Sequence, residues 1–159
     1  MATQKQQEQA RTVYGSLCAA LDGNNWHYKR DDDELSVTLT IRGDDLPMDI
    51  FATVDAERML VSVYSKLGFE VPEDKRVDMA VAVSVANWGM VDGSFDYTLS
   101  SGTTFFRVAS SYRDSLIGTE MLDYMVNIVC GTVDRYNDKF FMICKGMLSI
   151  EDFIKQENG

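Results

Sequence analysis

Apolar residues recur along this chain at two spacings, and the switches between them mark out the elements. Between residues 4 and 22, Ala10, Val13, Tyr14, Leu17, Cys18 and Leu21 return every three or four positions. That period lays one apolar stripe along a helix, and Gly23-Asn24-Asn25 stops it. The spacing then drops to two. Trp26 to Arg30 reads as a short strand. Leu35, Val37, Leu39 and Ile41 alternate with Ser36, Thr38, Thr40 and Arg42, the mark of a half-buried strand. After the turn at Gly43-Asp44-Asp45, Met48, Ile50, Ala52 and Val54 alternate with Asp49, Phe51, Thr53 and Asp55. A fourth strand, Arg58 to Lys66, follows Asp55-Ala56-Glu57. Connections this short join antiparallel neighbours, because parallel strands need a long crossover.

Pro72 with Glu73 and Asp74 opens a second helix, since proline suits a first turn and acidic charge suits a helix N-terminus. It runs to about Asn87. Gly93 to Leu99 and Thr103 to Tyr112 form a hairpin around Ser100-Ser101-Gly102. Helical spacing returns from Thr119 to about Lys145, with Gly131 the expected place for a break. Gly146 ends it, and Ser149-Ile150-Glu151-Asp152 resembles a capping box for a short last helix. The order is α-β-β-β-β-α-β-β-α-α without regular βαβ alternation, which defines an α+β class with a mostly antiparallel sheet. One domain is expected over 1–159, with an ordered core of about 10–155 and a loose polar end at 1–8.

The middle helix is unusual because it carries two apolar stripes. Val77, Ala80, Val81, Ser84, Val85 and Trp88 form one; Met79, Ala82, Val83, Ala86 and Met90 form the other. A helix apolar nearly all round must be covered on both sides. Its own sheet can cover one side. The other falls either to the long C-terminal helix or to a second copy of the chain. For a copy, the interface candidates are Met79, Val83, Ala86, Asn87 and Met90, with Asn87 either capping the helix or bonding across the interface. On the sheet, the alternation turns Phe51, Leu60 and Tyr64 outward, where they form a candidate binding patch.

Charge narrows the partners. Asp and Glu number 25 against 15 Lys and Arg, a net charge of −10. A nucleic-acid binder needs a basic surface, and anionic lipid repels an acidic one, so neither is expected. No apolar run approaches the roughly 20 residues of a membrane span, and the polar start holds no signal-peptide core. Three widely spaced cysteines, Cys18, Cys130 and Cys144, suit reduced thiols in a cytoplasm.

Catalytic signatures are missing. His27 is the single histidine, which rules out a His-rich metal site. No G-x-S-x-G elbow and no glycine-rich phosphate loop is present. Asp31-Asp32-Asp33-Glu34 lacks the spacing of a calcium loop and reads as a solvated turn. No catalytic, cofactor-binding or metal residues are expected, and no cofactor.

Several strings resemble the YbjN family of bacterial proteins, described as sensory-transduction regulators. They are the run Lys66-Leu67-Gly68-Phe69-Glu70-Val71-Pro72-Glu73-Asp74-Lys75-Arg76, then Asn87-Trp88, the hairpin pieces Gly93-Ser94-Phe95-Asp96-Tyr97 and Phe105-Phe106-Arg107-Val108, and Gly146 with Ser149-Ile150-Glu151-Asp152. The resemblance implies a fold similar to class I type III secretion chaperones. It further implies a small, dimeric module that binds polypeptide or regulates another protein, and it brings no catalytic residues. The leading expectation is a non-enzymatic protein-binding module, chaperone-like or regulatory, acting as a homodimer. The alternative is a small-molecule-binding sensory domain, with Trp26, Tyr28, Trp88 and the Phe-rich hairpin lining a pocket.

Overall fold

The elements appear in the expected order in a computed structural model that describes residues 1–159. They are α1 (Gln4–Gly23), β1 (Lys29–Asp31), β2 (Ser36–Arg42), β3 (Pro47–Asp55), β4 (Leu60–Lys66), α2 (Arg76–Trp88), β5 (Ser94–Thr98), β6 (Thr103–Ser111), α3 (Thr119–Cys144) and α4 (Ile150–Asn158). A 3-10 turn, Glu73–Lys75, leads from Pro72 into α2. The class is α+β.

All six strands pair antiparallel in the order β1-β2-β3-β4-β6-β5. Register sorts their side chains into two faces. Val37, Leu39, Met48, Ile50, Ala52, Val54, Val61, Val63, Phe106 and Val108 are buried on one. The helices lie there: α1 and α3 pack on the middle strands, α2 packs beside β5, and α4 packs on α2. The opposite face has no helical layer. The molecule is one sheet under one layer of helices, with the core between them.

Local chemistry explains the ends of the elements. Thr3 and Gln6 form a reciprocal capping box, so α1 starts at Gln4, inside the stretch expected to be loose. Ser149 caps α4 by accepting the Asp152 N–H at 3.1 Å. At Gly102 the φ of +74° and the approach of Val71, whose carbonyl oxygen would lie 2.4 Å from a Cβ, leave room only for glycine.

Three expectations need correction. Residues 26–28 do not pair into the sheet; the first strand is Lys29–Asp31, so His27 lies outside it. Leu35 and Met59 sit in turns with φ of 49° and 55°, although both continue an alternating pattern. Their carbonyls explain the choice, since Leu35 O accepts from Val54 N at 3.0 Å and Met59 O from Tyr112 N at 3.1 Å. Finally, α3 runs unbroken through Gly131. A single exposed glycine costs a helix only about 1 kcal/mol, which is too little to break 26 residues anchored by buried Leu122, Val129, Phe140 and Ile143.

Candidate functional site

The uncovered sheet face presents its residues in rows set by the ladder. One row runs Thr38, Phe51, Tyr64, Arg107, Ser94. The next runs Thr40, Asp49, Lys66, Phe105, Asp96. Phe51 stacks on Tyr64 with ring centroids 5.3 Å apart, and Phe105 meets Tyr64 edge-on at 6.3 Å. Arg107 and Asp96 pair at 2.8 Å beside them. Together Thr53, Ser62, Tyr64, Asp96, Phe105 and Arg107 line a hollow of about 290 Å³. The structure therefore brings Phe51 and Tyr64 together and leaves Leu60 apart, four residues along β4 and beyond Ser62. Phe105 is the member that sequence reasoning missed. Its signal was the alternation of β6: with Thr104, Phe106 and Val108 inward, Phe105 must point out.

On α2 the outcome is a reversal of faces. Met79, Val83 and Ala86, expected at an interface, are core residues of their own chain, and Ala82 is buried with them. The small side chains of Ala82 and Ala86 let this face lie close to its neighbours β5, α3 and α4. The other stripe is open. Val77 is 70% exposed, Val81 40%, Trp88 91%, and Val91 just beyond the helix 96%. A nearly bare tryptophan is unusual on a soluble surface. Met90 is half-buried against the core.

Asn87 is likewise an internal residue. Its Nδ2 donates to Phe95 O at 3.0 Å, and its Oδ1 accepts from Phe95 N at 2.7 Å. The carboxamide thus imitates a neighbouring strand and closes part of the β5 edge. Neither a helix cap nor an intermolecular bond is its role here.

The aromatic pocket expected around Trp26, Tyr28 and Trp88 does not form. Trp26 and Tyr28 adjoin β1 and Trp88 sits on α2 beside β5, at opposite edges of the sheet. A different cleft exists between α3 and the ends of β3 and β4. It measures about 230 Å³ and is lined by Leu46, Met48, Leu67, Phe69, Val133 and Phe141, with polar Ser65 and Asn137 among them.

The reactive side chains are scattered. His27 is exposed, and no three His, Cys, Asp or Glu residues gather in metal-binding geometry. Burial pushes the Cys130 and Cys144 thiols up to about 11, so at neutral pH they are protonated and poor nucleophiles. Asp32, in the acidic run, is engaged by Tyr14 at 3.0 Å and Arg30 at 2.9 Å, and the Arg30 and Tyr14 hydrogen bonds hold its carboxyl below the usual range. Its run forms the turn between β1 and β2. Glu157, at the end of α4, receives Lys139 at 2.6 Å, Tyr136 at 2.8 Å and Arg135 at 3.3 Å, which ties α4 to α3. No helix is long and apolar enough to cross a membrane.

One antiparallel sheet with a bare face, backed by helices of which one keeps an apolar flank, defines an α+β scaffold with two uncovered surfaces. The model of the YbjN family, described as "Putative bacterial sensory transduction regulator", matches residues 15–142, most of the chain. The chain belongs to this family. Its matched region spans the whole sheet, all of α2 and nearly all of α3. A comparison with curated proteins found no match. The family's description supports a regulatory role.

Proposed function

We propose that this protein regulates by binding protein, without catalysis, as a homodimer in the cytoplasm. The observation that carries the reading is the open stripe of α2, Val77, Val81 and Trp88. Covering each valine contributes about 1.5 kcal/mol or more, and a tryptophan carries 150–250 Å² of surface, roughly. A second copy offers the same stripe, and two-fold association is the commonest way to bury it. The bare sheet face then stays free in each subunit. Its Phe51, Tyr64 and Phe105 rings, with the Arg107–Asp96 pair alongside, suit an extended polypeptide bearing apolar side chains. A chaperone-like role, in which that polypeptide is a client, belongs to the same reading. The net charge of −10 favours encounter with basic partners.

Sedimentation equilibrium tests the assembly. The wild-type chain should have the mass of a dimer, and Val81→Asp and Trp88→Asp should each give a folded monomer. Met79→Asp should instead disrupt the fold, because its side chain is inside the core. A wild-type monomer at high micromolar concentration, or α2 variants that remain dimeric, would contradict the proposal.

A further inference from the structure

We infer that the cleft between α3 and the ends of β3 and β4 binds a small molecule with an amide-type edge on a ring-sized apolar body. The reading begins with Asn137. It occupies the buried stripe of α3 between Val133 and Phe141, it is 3% exposed, and neither Nδ2 nor Oδ1 has a hydrogen-bond partner in the chain. Ser65, on the opposite wall at the end of β4, is fully buried and its Oγ also lacks one. Buried polar side chains in native proteins are almost always paired. Both line this cleft. Thr104 Oγ1, the remaining unpartnered group, does not.

The donors and acceptors select the ligand. A carboxamide offers an N–H beside a carbonyl oxygen. A second amide edge, as in a carboxamide, a lactam or a pyrimidine-type ring, satisfies both together. A carboxylate would leave the Asn137 oxygen unpaired, and an ammonium its N–H. The Ser65 hydroxyl can turn to donate or accept. The other walls, Leu46, Met48, Leu67, Phe69, Val133 and Phe141, are apolar. An engineered apolar cavity of about 150 Å³ takes benzene, so 230 Å³ accommodates a substituted ring. The entrance wall is held in place, since Asp134 on α3 accepts the Asp44 N–H at 2.9 Å and fixes the loop before Leu46. Lys66 is the single charged residue of the lining, and its side chain is exposed at the rim. This site adds a sensing input to a protein-binding regulator and does not depend on the dimer.

Amide-resolved NMR titration with benzamide tests it, with benzoate and ethylbenzene as comparisons. Benzamide should shift the Asn137 side-chain resonances and the backbone amides of residues 66–69 in a saturable way. Benzoate and ethylbenzene should bind at least about tenfold more weakly, the loss expected for roughly two hydrogen bonds. Asn137→Leu should lower benzamide affinity by about the same factor while keeping or raising Tm, because an unpaired buried amide is replaced by an apolar isostere. Leu46→Trp, on a half-buried loop position outside the core, should block the entrance and abolish the shifts. The assignment is overturned by silence up to the solubility limit, which leaves Asn137 to water, by shifts confined to other surfaces, or by binding that both variants leave unchanged.

Discussion

Asn87 uses both halves of its carboxamide on a single residue of the adjoining strand. Its removal leaves the Phe95 N–H and C=O without protein partners at a part-buried site, so Asn87→Ala should cost about 1–3 kcal/mol in urea unfolding. Glu157 is the other single residue with a defined task. Burial pushes its carboxyl up, but hydrogen bonds from Lys139 and Tyr136 and the charges of Lys139 and Arg135 outweigh it and hold the group below its ordinary 4.5. A carboxyl depressed in the folded state contributes stability that is complete above about 4.5 and fades as pH falls through the lower folded value. Glu157→Gln should therefore destabilise at pH 7, and its deficit should shrink when unfolding is measured near pH 3. A deficit independent of pH would show that the hydrogen bonds, and not the charge, hold α4. Neither role was legible in the sequence. Asn87 meets Phe95 across a loop, and Glu157 meets Tyr136 across 21 positions, and local spacing carries no record of such meetings.

At the scale of elements, alternation and helical period predicted nearly everything, because β2 to β6 each bury one face and each long helix one stripe. The exceptions have local causes. Leu35 and Met59 keep the alternating pattern yet turn, because their carbonyls are needed by Val54 and Tyr112. Gly131 looked like a break, but nothing lies within 4 Å of a Cβ placed there and the helix continues. Gly131→Ala should accordingly stabilise the protein by about 1 kcal/mol, read as a rise in the urea midpoint with unchanged slope. A loss of stability would contradict this reading of Gly131 as a tolerated helix glycine. The two stripes of α2 posed a harder question. They are equally apolar, so period alone cannot say which turns inward. The small Ala82 and Ala86 and the Asn87–Phe95 bonds decide it, and both act through neighbours distant in the chain.

For the whole molecule, the sheet edges and faces allocate the work. The β5 edge is partly closed by Asn87, and the β1 edge is only three residues long, so edge-to-edge pairing is discouraged. The surfaces left open are faces: the outer sheet with Phe51, Tyr64 and Phe105, and the outer flank of α2. The candidate site was half legible. Phe51 and Tyr64 followed from alternation, and the two apolar stripes of α2 were visible, but Met79, Val83 and Ala86, expected at an interface, lie on the flank that the core takes. The cleft at Asn137 had one visible trace, a polar residue in the buried stripe of α3. Ser65 comes from a strand 72 positions earlier, by the numbering, and only folding joins them.

Cross-linking tests the proposed two-fold α2 contact most directly. Ser84 is exposed at the middle of the open stripe, between Val81 and Trp88, and a two-fold contact centred on that stripe would bring it close to its own equivalent. Mild oxidation of Ser84→Cys should give a disulfide-linked dimer rapidly, and Thr12→Cys, exposed on α1, should not. Equal and slow cross-linking at the two positions would contradict the account.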